Sequence, residues 1–199
     1  MSDNSRNTLF PVFLKLGQLQ TLIVGGGYVG LEKLQALLKN EPEANVIIVS
    51  IDFLPDLVDL AKKFPNIKLI QRAFEEQDLE NIDIAILATN IREVNHEIRG
   101  YARKRGILTN VADTPDLCDF YLGSTVTKGN LKVGISTNGK SPTFAKRFRE
   151  LLEDALPEEV DELLASLSSF RDTLKGDFEA KVKALNEHTA SLVSKKSEN

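Results

Sequence analysis

The chain is poor in the residues that build metal- or disulfide-based scaffolds. A single cysteine, Cys118, among 199 residues excludes an internal disulfide framework and a four-cysteine zinc site, and fits a reducing cytoplasm. The two histidines, His96 and His188, stand alone on helical patterns without HxxxH or HxH spacing, so no metal site is expected. No apolar run approaches the ~18 residues of a membrane span, and no membrane partner is expected. The start, MSDNSRNTLFPVF, lacks a basic region followed by an apolar one, which predicts no signal peptide. Positive charge is not in surplus either. With 25 Lys+Arg against 29 Asp+Glu, the formal net charge is −4, so no overall basic field draws in nucleic acid. No internal repeat or low-complexity block is present.

What is there is an ordinary globular composition, 42% hydrophobic and 27% charged, on a chain long enough to bury a core unaided. Polar residues 1–8 read as frayed, and LFPVFLKL (9–16) as a short strand or extended lead-in. QTLIVGGG is a buried strand ending in glycines. Val29, Leu31, Leu34, Leu37 and Leu38 then recur at helical spacing over 28–40. VIIVS (46–50) predicts a second strand, FLPDLVDLAKKF a short helix, IKLIQRAF a third strand and IDIAILAT (82–89) a fourth. A helix over 93–105 stops at Gly106, and 107–112 is a fifth strand. This β-α-β-α-β-β-α-β order predicts a mostly parallel, doubly wound sheet with its sites at the carboxyl ends of the strands. GSTVTKGNLKVGIST then alternates with period two around Lys128-Gly129-Asn130, a hairpin outside that sheet. From Pro142 the chain reads as helical. An apolar stripe runs through Val160, Leu163, Leu164, Leu167, Phe170, Leu174, Phe178, Val182 and Leu185, with Gly176 as a break and a polar tail from Lys195. The stripe and hairpin are small for a separate core, so they bury against a second copy or fold back onto their own sheet.

Gly25-x-Gly27-x-x-Gly30 follows a strand and opens a helix, the context in which glycines allow backbone and helix N–H groups to approach a pyrophosphate. Gly25, Gly26, Gly27, Tyr28, Val29 and Gly30 are therefore the candidate dinucleotide loop. Asp52, 22 residues past Gly30 and two beyond the expected strand end, either reads ribose hydroxyls and favours NAD or caps the next helix. No arginine stands at 50–55 to favour a 2′-phosphate. Thr89 and Asn90 end the fourth strand, where they touch a ribose or cap a helix. Asp113 ends the fifth strand, placed either to accept a proton or to form a turn before Thr114-Pro115. Gly134 to Ser141 matches the P-loop pattern GxxxxGK[ST]. Pro142, however, disfavours helical geometry at Ser141, which reads better as an N-cap with proline at N1. Lys140, Lys146, Arg147 and Arg149 make a basic patch, suited to a polycarboxylate or simply a solvated face. Cys118 reads as a small core residue in a short helix rather than as a nucleophile.

Taken together, these segments resemble the siroheme-synthase N-terminal family, the precorrin-2 dehydrogenase/sirohydrochlorin ferrochelatase proteins. LFPVFLKL is similar to the family's opening PLF-L-L. GGGYVGLEKLQALL is similar to its GGG-x-VA-x-RK-x-x-x-LL, and ILATN with Val94-Asn95 to its AATND…VN. NVADTPDLCDF resembles NVVDxPxxCxF, and 136–149 resembles STGGxSPxxARxxR. The resemblance runs to about Leu152. Two local departures are the segment NEPEAN (40–45), which replaces a shorter turn, and Asn138, which stands where glycine is common. The fused uroporphyrinogen methyltransferase domain of long members is not expected in this chain, so methylation would come from another protein.

The resemblance implies an α/β subunit of three parts: an NAD-binding Rossmann domain (1–113), a small α+β dimerisation and substrate region (114–150), and a C-terminal helical segment (151–199). It implies NAD-dependent oxidation of precorrin-2 to sirohydrochlorin in a homodimer, with Fe²⁺ insertion at the same site in some members. Carried over by position, Asp113 matches the essential acid, Gly25, Gly27 and Gly30 the NAD loop, and Thr89 and Asn90 the ATN segment. Thr137 and Ser141 match hydroxyls near the substrate. The candidate substrate-binding residues are Ser136, Thr137, Asn138, Lys140, Ser141, Lys146 and Arg147. Rival readings are a non-catalytic NAD-binding regulatory module and a dehydrogenase of another polycarboxylate.

Overall fold

The computed structural model describes residues 6–175 and 178–189. Residues 1–5, 176–177 (with Gly176), the tail from residue 190 and the side chain of His188 lie outside the described residues. The chain divides into two compact units, one of Thr8–Leu122 and the other of Gly123–Asn199 together with Met1–Asn7.

In the first unit, β1 (Gln20–Gly26), β2 (Asn45–Phe53), β3 (Ile67–Gln71), β4 (Ile84–Leu87) and β5 (Leu108–Val111) form one sheet, ordered β3-β2-β1-β4-β5. Every pairing is parallel. The central strand β1 is buried from Thr21 to Gly26, which is why its sequence is a continuous apolar run rather than an alternation. Successive side chains still take opposite faces. Leu22 and Val24 pack with Ile98 and Ala102 of α3 (Arg92–Lys104). Ile23 packs with Leu34, Leu37 and Leu38 of α1 (Tyr28–Asn40) and Leu57 of α2 (Pro55–Ala61). Each such burial contributes about 1.5–3 kcal/mol, and the two clusters close both faces of the sheet.

Helix α1 has the bounds its periodicity predicts. Helix α3 ends just before Gly106, whose φ of +72° an L side chain rarely adopts. Strand β2 runs three residues beyond the expected end at Ser50, so Asp52 lies within it. Strands β4 and β5 are shorter than their apolar runs. Between β3 and β4 the chain makes only a 3-10 turn, Glu76–Leu79. The segment 9–16 forms no strand; it is irregular and leads into a 3-10 turn at Leu16–Gln18, with Phe10 86% exposed.

In the second unit, β6 (Ser124–Lys128) and β7 (Leu131–Ile135) form a separate antiparallel hairpin, as their alternation predicts. Gly129 turns it at φ +53°. Helices α4 (Pro142–Ala155), α5 (Val160–Thr173) and α6 (Phe178–Thr189) follow. Val126, Ile135 and Ala145 make a small core with Val133, Leu152 and Leu156 around them.

Candidate functional site

The strand order reverses between β1 and β4, and a crevice opens at the carboxyl ends of the strands there. It is a cleft of about 910 Å³, within the ~300–1,000 Å³ range of small-molecule and cofactor sites. Gly25, Gly26, Gly27, Tyr28, Val29, Asp52, Thr89, Asn90 and Asp113 all line it. Of the candidate cofactor residues only Gly30 sits beneath: a Cβ there would stand 2.1 Å from the Gly25 carbonyl oxygen, so helix and strand touch through glycine alone. Gly25 has φ +117°, and its own Cβ would meet the Ala88 carbonyl at 2.5 Å. Gly27 is different in kind. Its Cβ would meet nothing within 4 Å, because that side faces the open cleft. Gly27 is also the N-cap of α1, and no side chain caps the helix. A helix start has N–H groups without intrahelical acceptors, so α1 points uncommitted donors and a positive dipole end at the cleft.

The end of β2 is shaped by Ser50. Its hydroxyl accepts the Gly26 N–H at 2.9 Å and donates to the Asp52 carbonyl at 2.7 Å. Between the pairs Val24–Val49 and Gly26–Phe53 the register slips, and this hydroxyl bridges the slip. Asp52 does not cap a helix: the N-cap of α2 is Leu54.

Thr89 and Asn90 are not helix caps either, since α3 begins from Ile91 without a side-chain cap. The Thr89 hydroxyl donates to Asn95 Oδ1 at 2.6 Å, and Asn95 Nδ2 donates to the Thr89 carbonyl at 3.0 Å. Asn95 is 5% exposed, so a buried amide on α3 holds the loop after β4.

Asp113 is exposed, has φ +56°, and sits in the turn that leaves β5. That turn is held from behind. Cys118 follows a 3-10 turn, Pro115–Leu117, rather than lying inside a helix. Its sulfur accepts the Val111 N–H at 3.2 Å and lies 3.4 Å from the Thr114 carbonyl. Burial pushes the Cys118 thiol up, which keeps it protonated. Asp119 copies the pattern one step earlier. Its N–H donates to the Thr109 carbonyl at 2.7 Å, and its carboxylate accepts the Thr109 N–H at 2.9 Å and Arg99 at 2.6 Å. Returning chain thus covers the free edge of β5.

The remaining predicted residues belong to the second unit. Ser141 is the N-cap of α4, accepting the Phe144 N–H at 3.1 Å, with Pro142 at N1, as its sequence context predicts and a P-loop does not allow. Asn138 and Gly139 turn the loop at φ +53° and +73°. Ser141 N–H donates to the Thr137 hydroxyl at 3.3 Å, and Asn138 N–H to the Ser136 hydroxyl at 3.2 Å. The basic patch is partly neutralised: Arg147 pairs with Glu150 at 2.8 Å and Arg149 with Glu153 at 3.0 Å. Lys140 and Lys146 are exposed.

Sequence reasoning passed over Ser50 and Arg72. Ser50 ends an apolar run and carries no motif. Arg72 lines the cleft as the residue after β3, well past the 50–55 segment where an arginine for a 2′-phosphate is expected.

Residues 12–124 match the family model described as putative NAD(P)-binding, and residues 128–155 match sirohaem biosynthesis protein central. The chain is 36% identical over 168 residues to siroheme synthase of Pseudoalteromonas translucida, covering 84% of this chain and 35% of that one. It is 37% identical over 165 residues to siroheme synthase of Psychromonas ingrahamii, covering 83% and 34%. The chain therefore spans about a third of the length of the curated relatives it matches. Among solved structures, SirC, a precorrin-2 dehydrogenase, shares the fold with a TM-score of 0.69 at 24% identity, over 90% of this chain and 88% of that one.

Proposed function

Because this chain belongs to the putative NAD(P)-binding family, whose model spans residues 12–124, we propose that it oxidises precorrin-2 to sirohydrochlorin with NAD, a step toward siroheme. The observation that carries this reading is the place of Asp113 in the same cleft as the glycine loop. It is supported by the match of 128–155 to the sirohaem central model and by relatives named siroheme synthase.

NAD held in the cleft supplies the hydride acceptor. The rest belongs to the chain. Gly25 to Gly27 and the uncapped start of α1 hold the pyrophosphate. Asp52 accepts hydrogen bonds from the adenosine ribose. Thr89, braced by Asn95, and Asn90 after it face the second ribose. Dehydrogenation also releases a proton, and the Asp113 carboxylate takes it, a role that contributes about 10²–10⁴ in rate. In the second unit, Ser136, Thr137, Asn138, Lys140, Ser141, Lys146 and Arg147 bind substrate carboxylates.

The same carboxylate of Asp113 would accept the pyrrole protons released on Fe²⁺ insertion, with Fe²⁺ as a second substrate. We assign 1–113 to the cofactor, 114–150 to dimerisation and substrate, and 151–199 to a C-terminal helical region with a polar tail. Exposed Phe144, Phe148, Leu151 and Leu163 support a homodimer, and α5 contributes no buried residue in the single chain. No helix among the described residues is long and apolar enough to cross a membrane; the cytoplasmic setting of this reading is supported by the single cysteine, Cys118.

The test is incubation with precorrin-2 and NAD⁺, following NADH. Binding of NAD⁺ without NADH production sinks the enzymatic reading in favour of a regulatory module. Supplying sirohydrochlorin and Fe²⁺ separately, against the spontaneous rate, decides metal insertion.

A further inference from the structure

In the parallel register, Ser50 of β2 stands opposite Gln71 of β3. Arg72, the next residue, leaves β3 on the side of the Ile51–Asp52 end of β2. Both ends line the cleft. A guanidinium there would be well placed for a phosphate on the adenosine ribose. Both terminal nitrogens of Arg72 are drawn to Asp78, which with Ala73 takes three of its five N–H donors. One terminal nitrogen donates to Asp78 Oδ2 at 2.8 Å and to the Ala73 carbonyl at 2.9 Å. The other donates to Asp78 Oδ1 at 2.6 Å, and Nε lies 4.0 Å from Glu75.

Asp78 is fixed in turn. Its side chain is 6% exposed, and its Oδ2 also accepts the Glu75 N–H at 2.8 Å in the 3-10 turn between β3 and β4. The other cleft arginine, Arg92, begins α3 after β4, across β1 from the end of β2. Beside the adenosine ribose the cleft thus presents the Asp52 carboxylate and an arginine whose two terminal nitrogens are both held by Asp78.

We propose that Asp78 sets the choice of NAD over NADP by holding the Arg72 guanidinium away from the ribose end of the cleft. With Asp78 in place, a 2′-phosphate meets the Asp52 carboxylate and, on its own side of β1, a guanidinium already paired with Asp78. With the fork opened, Arg72 reaches that phosphate. This rests on NAD(P) binding alone and not on the tetrapyrrole reading, so binding measurements test it whatever the substrate proves to be.

The experiment titrates the full chain with NAD⁺ and NADP⁺ by calorimetry, without substrate. Asp78→Asn is expected to tighten NADP⁺ binding by about 10-fold or more, the contribution of one charge-assisted hydrogen bond, with NAD⁺ affinity within about 3-fold of the parent. Asp78→Asn combined with Arg72→Gln is expected to lose that gain. Arg72→Gln alone is expected to leave NADP⁺ affinity at the parent value, because the guanidinium is not yet in use. An unchanged NAD⁺/NADP⁺ ratio in Asp78→Asn overturns the proposal, as does a gain that survives removal of Arg72. Weaker NADP⁺ binding in Arg72→Gln alone overturns it too. So does an Asp78→Asn chain that has lost both nucleotides, since Asp78 would then serve the fold rather than the choice.

Discussion

Cys118 pairs with Val111 as a strand residue would: its sulfur accepts the Val111 N–H at 3.2 Å and its thiol donates to the Val111 carbonyl at 3.2 Å. Asn110 Nδ2 adds a contact at 3.6 Å. One side chain therefore anchors the residues just before Asp113. Cys118→Ala removes these bonds and is expected to lower turnover by roughly 10-fold while NAD binding persists, since small misplacements of a reacting group are costly. Cys118→Ser, which keeps a donor and an acceptor, should recover most of it. Equal kinetics in all three proteins would end this account.

The same thiol offers a chemical check. Burial raises it above its ordinary range, so less thiolate exists near neutral pH than in a free cysteine, and the thiolate is the reactive form. Reaction of the native chain with a disulfide reagent is expected to be slower than that of glutathione and to accelerate on unfolding. Immediate labelling of the native chain would contradict this.

Asp113→Asn is a better probe of the proposed proton acceptor than a bulkier change. Asparagine tolerates the φ of +56° found at this position, so the turn survives while the basic oxygen is lost. Turnover should fall by about 10²–10⁴ with NAD affinity unchanged. Steady-state rates combined with nucleotide titration make the comparison.

Two glycines of one loop should fail differently. Gly30→Ala forces a Cβ to 2.1 Å from the Gly25 carbonyl oxygen and is expected to lose at least about 1–3 kcal/mol of stability, as overpacked positions do. Gly27→Ala meets only open cleft. It should melt like the parent yet bind NAD more weakly. Thermal melts beside calorimetry separate the two, and a stable Gly30→Ala chain would count against the packing argument.

Asp78 predicts an acid limb of stability. Burial alone pushes its carboxyl up, but hydrogen bonds from Arg72 and the Glu75 N–H, with the Arg72 charge, leave it below the ordinary value. A depressed folded pKa means the contribution is complete above the unfolded carboxylate value and disappears as pH falls through the folded one. Arg72→Gln should therefore flatten the stability–pH curve on the acid side. An identical curve in parent and variant would show that the pair does not couple to folding.

Much of this was legible in the sequence where a local rule decides the outcome. The α1 bounds follow from five apolar positions at helical spacing after a glycine loop. Ser141 as N-cap follows from the proline behind it. Even the neutralised patch was open to reading, since Glu150 and Glu153 lie three and four residues beyond Arg147 and Arg149. What stayed hidden depends on distant partners. Ser50-Ile51-Asp52-Phe53 does alternate polar with apolar, but it follows the apolar run of a buried strand and its Ile51 is 64% exposed, so the run marks an end at Ser50 while the Gly26–Ser50 hydrogen bond carries the strand on. Arg72 and Asp78 sit six apart across a 3-10 turn, a spacing that neither helix nor strand periodicity flags. Cys118 meets Val111 only after the chain doubles back along β5.

The Ser50 hydroxyl has a thermodynamic consequence. It ties the Gly26 amide to the Asp52 backbone, so the surface that grips phosphate and the residue that reads ribose form one stiff piece before any ligand arrives. Little loop ordering remains to be done when the adenosine half settles in. Binding there should lose less of its interaction energy to configurational entropy than a site assembled from independent loops. A serine with no motif of its own thus acts as the gauge block between two ends of a nucleotide.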